Sequence, residues 1–198
     1  MIFQCKKCGS CCKQTPQNGD KNSRQILVYP EEADMMQTLA KIKEISVTLT
    51  EELPIPDKKN KQMIVTRYIL EPNKDHDCPF LAEDECLIYD QRPMVCRAYP
   101  LVINEKSFVE HNFYIDRNCP AYGEILGDSG KLEMEKIKDV FPIEYRELLK
   151  VFRREKMILK KLSELEKDGK IKLEPNLSFE EFDEGFRTWE RFIVYTEF

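Results

Sequence analysis

Eight cysteines carry the reactive chemistry of this 198-residue chain, and four of them fall within its first twelve residues. Cys5, Cys8, Cys11 and Cys12 form a C-x-x-C-x-x-C-C run; Cys78, Cys86, Cys96 and Cys119 are spread further along, and none follows. Thiolates are soft ligands that select zinc, Cu(I) and iron-sulfur clusters. A C-x-x-C spacing lets two sulfurs converge on one metal while the backbone between them turns back. A third cysteine after two more residues, Cys11, has the spacing of a loop that grips an iron-sulfur cubane. Gly9 and Ser10 make the tight turn easy. Cys11 and Cys12 are neighbours whose side chains diverge, which suits two metals, or two irons of one assembly, better than a single ion. Cys78 and Cys119 each precede a proline, as a ligand does in ferredoxin runs.

Four-coordinate sulfur sites take four ligands each. Eight thiols therefore fit two such sites or one multinuclear site, and spacing leaves the pairing open. The competing role for a cysteine is that of a small buried hydrophobe; it suits Cys86 or Cys96 taken singly and fits the N-terminal run poorly. The two histidines offer little competition as ligands: His76 reads as a loop residue and His111 as structural.

Composition narrows the classes. A net charge of -5 lacks the basic footprint of a general nucleic-acid binder, so a nucleic-acid partner is not expected. No apolar run approaches the roughly 20 residues of a membrane span. The first residues show no basic segment followed by an apolar one, so the expectation is a cytoplasmic protein with reduced thiols, where dense cysteines favour metal ligation over disulfides.

The cysteines must be positioned by an α+β fold: a small cysteine-rich metal-binding domain over residues 1–122, with short strands and helices, followed by a helical C-terminal extension over 123–198 that packs on it. Ile26 to Tyr29 reads as a strand, and Pro30, Glu31 and Glu32 open a helix with proline and acids at its positive end. Met35, Leu39 and Ile42 supply its apolar face. Gln62 to Leu70 and Ser107 to Ile115 read as strands, and Thr50 to Lys61, with Pro54 and Pro56, as a loop. Residues 131–198 read as helical. Tyr145, Leu148, Leu149, Phe152, Leu159 and Leu162 mark a stripe that Gly169 should end. Ser178 with Glu181 is a capping box, with Leu177 placed to staple onto Phe182, and Phe182, Phe186, Trp189 and Ile193 are the expected buried face of the last helix. The basic run Lys150, Arg153, Arg154, Lys156, Lys160 and Lys161 reads as a solvated face.

The blocks Cys78-Pro79-Phe80-Leu81, Cys86-Leu87-Ile88-Tyr89 and Arg92-Pro93-Met94-Val95-Cys96-Arg97-Ala98-Tyr99-Pro100, with the N-terminal run and Cys119, resemble the YkgJ-type cysteine-cluster (CxxCxxCC) family, a zinc- or iron-chelating domain. The resemblance covers roughly the first 120 residues and includes all eight cysteines. It implies metal or iron-sulfur binding by Cys5, Cys8, Cys11, Cys12, Cys78, Cys86, Cys96 and Cys119. More distantly it brings in the flagellin lysine N-methylases, longer proteins associated with a [4Fe-4S] cluster and S-adenosylmethionine. The N-terminal run departs by one residue from the C-x-x-x-C-x-x-C loop of radical enzymes of that cofactor, and Gly123, Gly127 and Gly130 do not form a dinucleotide loop.

Within the second block, Asp90 is placed to cap the turn that Pro93 begins. Arg92 and Arg97 are the candidate cofactor-binding residues, able to donate to cluster sulfurs, neighbouring carbonyls or a carboxylate-bearing ligand. Tyr89 and Tyr99 read as packing residues. The expected function is a metal protein holding an iron-sulfur cluster, [4Fe-4S] in kind, or a related thiolate-metal site. The alternatives are two structural zinc sites with four cysteines each, or methyl transfer from S-adenosylmethionine to a protein lysine. No catalytic residue is singled out, and the helical tail is the expected surface for a protein partner.

Overall fold

The computed structural model describes residues 2–13, 25–103, 113–126, 134–174 and 176–196. In chain order the elements are β1 (Ile26–Val28), α1 (Pro30–Ile42), β2 (Leu49–Glu51), β3 (Ile55–Asp57), β4 (Gln62–Val65), β5 (Tyr68–Leu70), β6 (Leu81–Ala82), β7 (Glu85–Cys86), α2 (Met94–Ala98) and β8 (Leu101–Ile103). They continue with β9 (Phe113–Ile115), α3 (Tyr122–Leu126), α4 (Met134–Val140), α5 (Pro142–Lys167), α6 (Phe179–Thr188) and β10 (Glu190–Ile193). The α+β class holds. The rest of the expected strand from Ser107, and His111 within it, lie outside the described residues.

Strand β5 pairs antiparallel with β1 and β2, and β4 pairs antiparallel with β3 and parallel with β10. Two of these strands run through the segment 50–61 expected to be a loop. Pro56 is tolerated in β3 because β3 is an edge strand of its sheet and the Pro56 carbonyl points away from β4, accepting from the Glu174 N–H, so the missing N–H costs no bond to β4. The expected single strand from Gln62 to Leu70 breaks at Thr66 and Arg67, so that its two halves serve different sheets. At the break, the Arg67 guanidinium forms ion pairs with Glu52 at 2.7 Å and Glu155 at 3.2 Å. Both acids are buried, and buried charges persist when paired and hydrogen-bonded.

On α1 the buried face is Ala33, Met36, Leu39 and Ala40; Ile42 is exposed, a correction to the expected face. Ile42 sits at the helix's last position, where the chain turns away through Lys43 and Glu44.

The tail is built on α5, about 39 Å long at 1.5 Å per residue. Leu148, Val151, Phe152, Ile158 and Leu162 are buried along it, whereas Leu159 is exposed. Gly169 ends it with φ 68°, while the Lys170 N–H bonds back to Leu165 O, as in a Schellman ending. The basic run on this helix is not wholly solvated: Arg154 is buried and ion-pairs with Glu31 of α1, and it also donates to Thr196.

Helix α6 starts as expected, with the Glu181 N–H donating to Ser178 Oγ at 3.2 Å. It stops at Thr188, however, with Trp189 as its C-cap, and Ile193 lies in β10 rather than on a helical face; Phe186 is exposed. The physical reason is tertiary. Glu190 to Ile193 lie beside Gln62 to Val65 and complete a sheet that starts in the cysteine-bearing part of the chain. Among the described residues, no helix is long and apolar enough to cross a membrane.

Candidate metal centre

Four chain segments bring the cysteines together. The first is the loop 2–13. It turns at Gly9, whose φ of 69° suits glycine, with the Cys12 N–H donating to Gly9 O at 2.8 Å. A Cβ at Gly9 would sit 2.8 Å from Asp84 O, so any side chain would push the loop off its support. The loop is fastened at both ends. Cys12 O accepts from the Cys78 N–H at 2.7 Å, and the Phe3 N–H donates to Val140 O at 2.7 Å while the Phe3 and Phe141 rings pack with centroids 5.1 Å apart.

The second segment runs from Cys78, whose carbonyl accepts from the Leu81 N–H at 2.9 Å, into the β6–β7 hairpin, in which Leu81 pairs with Cys86. Its two turn residues, Glu83 and Asp84, have φ of 49° and 65°, the sense a two-residue hairpin needs to match strand twist. The third is α2, which carries Cys96. Its first N–H, on Met94, donates to Glu32 Oε1 at 2.7 Å. Asp90, expected to cap this turn, has no such role: the N-cap Pro93 has no side-chain bond, and a carboxylate from α1 does the work instead. Glu32 also accepts from the Tyr29 N–H at 3.3 Å, so one buried acid ties α1 to α2. The fourth segment carries Cys119, whose N–H donates to Asp116 O at 3.2 Å and whose carbonyl accepts from the Tyr122 N–H at 2.8 Å. Cys119 shares a core with Phe3, Phe141 and Leu148, which places tail residues directly behind it.

All eight cysteines are free thiols, and all eight line a single cavity of about 60 Å³. That exceeds the roughly 10–15 Å³ that one water occupies on the same measure. Among the described residues, no three Cys, His, Asp or Glu side chains are gathered as the ligands of a single ion. The sulfurs instead share the wall of one larger space. Cys12 is the hub: its Sγ lies 3.9 Å from Cys11 Sγ, and its carbonyl accepts from the Cys78 N–H at 2.7 Å. The neighbouring thiols of Cys11, Cys78 and Cys86, with burial added, raise the pKa of Cys12. Cys12 acts oppositely on its neighbours: it lowers Cys78 against the effect of burial, and brings Cys86 down to about 7, helped by the Ile88 N–H and the nearby Arg92 guanidinium. Burial raises Cys119. Eight thiols around one space are a soft donor set whose protons a metal would displace, so the donor set fits a thiolate-bound metal.

Lys6, Lys7 and Arg92 are the charged residues of the lining, and all are cations. The Arg92 guanidinium stacks 3.8 Å from the Tyr89 ring and donates from Nε to Tyr89 O at 2.8 Å. Lys7 Nζ lies 4.7 Å from the same ring. Arg97 faces away from the cavity lining: it donates to Glu147 Oε2 at 2.9 Å and to Arg92 O at 2.7 Å, locking α2 against α5. Of the two candidate cofactor-binding arginines, Arg92 thus lines the cavity and Arg97 braces it. His76 is exposed in a turn with φ 63° and is absent from the lining. The sequence pattern did not single out Glu32, Glu147 or Lys7. Glu32 was visible only as one of two acids opening α1, and nothing local distinguishes the one that reaches α2.

The comparisons agree with the geometry. A family model, CxxCxxCC, described as "Putative zinc- or iron-chelating domain", matches residues 4–120. No curated protein and no solved structure matches the chain.

Proposed function

Residues 4–120 make this chain a member of the CxxCxxCC family of zinc- or iron-chelating domains, and from that premise we propose that it is a metal protein whose eight cysteines hold an iron-sulfur cluster, [4Fe-4S] in kind, or a closely related multinuclear thiolate site. The observation that carries the proposal is the single cavity lined by all eight cysteines. Two separate zinc sites would divide the cysteines into two sets of four. The backbone bond from the Cys78 N–H to Cys12 O instead ties the N-terminal run to the second group. The cationic lining favours the same reading, because thiolates around a metal leave net negative charge that Arg92 and Lys7 offset. When bound, such a group supplies electron transfer or an electrophilic iron; the residues of this chain hold it and exclude water through Phe80, Ile26 and Leu70. Reduced thiols of this kind suit a cytoplasmic setting.

Anaerobic purification followed by metal and acid-labile sulfide analysis tests the proposal. Iron with sulfide is the expected result. Zinc without sulfide would replace the cluster by structural zinc, and folded metal-free protein would sink both. Methyl transfer from S-adenosylmethionine requires that ligand to bind the loaded protein, which calorimetry measures directly.

A further inference from the structure

We propose that metal enters and leaves this centre through Cys5 and Cys8, and that Tyr89 is the latch of that port; the inference rests on the metal-binding reading above. The thiols are graded by depth. Cys12, Cys78 and Cys119 are 7%, 5% and 7% exposed, Cys11, Cys86 and Cys96 are half-buried, and Cys5 and Cys8 face solvent. All eight nevertheless line the same cavity, so the two outer cysteines border both bulk water and the space that the inner set shares.

The loop that carries them is firm at its ends and light in its middle. Backbone hydrogen bonds fix Phe3 to α4 and Cys12 to Cys78, and both Phe3 and Cys12 are buried. Between them the attachments are side chains at the surface. Lys7 sits over the Tyr89 ring, Lys6 pairs with Glu124, and Cys8 donates to Ser10 Oγ at 3.3 Å. Exposed ion pairs and cation–π contacts are each weak. The middle of the loop therefore lifts at far lower cost than its ends, and Tyr89 holds one of its attachments through Lys7. Arg92 and the Tyr89 carbonyl in turn fix the ring's position.

The ligand class is a soft metal ion presented as a complex with a small thiol. In the transfer, the bond from the metal to the donor sulfur breaks as one to Cys5 or Cys8 forms. The proton that the cysteine gives up is taken by the departing thiolate, and no electron changes hands. The ion then passes to the inner sulfurs by the same exchange.

The test uses anaerobic metal-free full-length protein and the zinc–glutathione complex, with zinc uptake followed in time. The Cys5→Ser/Cys8→Ser double variant is expected to slow the first phase tenfold or more. Cys96→Ser, which removes an inner sulfur, lowers the final zinc content and leaves that first phase unchanged. Tyr89→Ala speeds both uptake and release to a chelator several-fold, and Tyr89→Phe, which keeps the ring under Lys7, restores the wild-type rates. Iodoacetamide followed by mass mapping labels Cys5 and Cys8 of the metal-free protein well before Cys12, Cys78 and Cys119. The altered side chains of the double variant are exposed, so its helical circular dichroism matches the wild type. Uptake by the double variant at the wild-type rate, or labelling of Cys12 as fast as Cys5, overturns the port while leaving metal binding intact. Wild-type protein that takes up neither zinc nor iron overturns both.

Discussion

Around Cys12 the strands are two or three residues long, and the buried floor is shared by sulfur with Ile26, Val28, Leu70 and Phe80. Around Phe152 a 26-residue helix carries five buried apolar side chains, and charged pairs such as Arg67 with Glu155 close its flanks. The two regions meet through Phe3, Cys119 and Phe141, which belong to one core. The contrast teaches that one fold draws on two sources of stability. The tail region holds itself by burying apolar surface. The sulfur region buries apolar surface against α1 as well, and its short strands are expected to gain further stability from what its thiols bind.

Stripping the metal should separate the regions most sharply. A structural site of this type contributes roughly 10 kcal/mol or more, but the apolar floor of Ile26, Val28, Leu70 and Phe80 stays without metal, so chelation should weaken hydrogen-exchange protection in residues 2–13 and 77–96 while α5 and the β4–β10 pair keep theirs unchanged. Equal loss in both would show that the division is not real. Next in size is Phe141→Ala, which removes a fully buried ring and should cost roughly 3–5 kcal/mol in denaturant unfolding. Because Phe3 packs on that ring, the same variant should raise the rate of Cys5 alkylation. An unchanged rate would mean that the tail does not hold the loop.

Two buried acids give the regions opposite responses to pH. Burial raises Glu32 above its usual 4.5, and the N–H groups of Met94 and Tyr29 only partly offset this. Its contribution is therefore complete below pH 4.5 and is lost as pH rises through the raised value. Burial also pushes Asp57 upward, but hydrogen bonds from Asn60, the Lys172 N–H and Gln62 win and lower it below 3.8. Its contribution is complete above pH 3.8 and disappears as pH falls through the lowered value. Glu32→Gln should flatten the loss on the alkaline side, and Asp57→Asn the loss on the acid side, each read from melting temperature across pH. The smallest effect is expected from Ser178→Ala, about 1 kcal/mol. It should fray α6 alone, which exchange in residues 179–188 would report with metal content unchanged.

Local signals were legible wherever a short stretch decides its own conformation. Ser178 with Glu181 marked the start of α6, Gly169 the end of α5, and Pro30 the start of α1, since each satisfies or terminates backbone hydrogen bonds within a few residues. Trp189 and Ile193 misled because their spacing also suits a helix, and only the open edge of β4 turns residues 190–193 into a strand. Pro54 and Pro56 signalled a loop, yet an edge position lets β3 keep Pro56. Asp90 looked like the cap for α2 because it was near in sequence, whereas Glu32, 62 residues away, is near in space.

The sequence by itself determined the chemistry: eight sulfurs, their two groups, the turn at Gly9 and the thiol character of any site they form. Those follow from residue type and spacing, which travel with the chain. Tertiary structure alone decided that both groups line one cavity, that Cys12 links them, that Cys5 and Cys8 face outward, and that Arg92 rather than Arg97 joins the lining. Such facts depend on which distant surfaces pack together, through Glu32 on α2, Phe141 behind Phe3 and β10 beside β4, and no local stretch of residues encodes them.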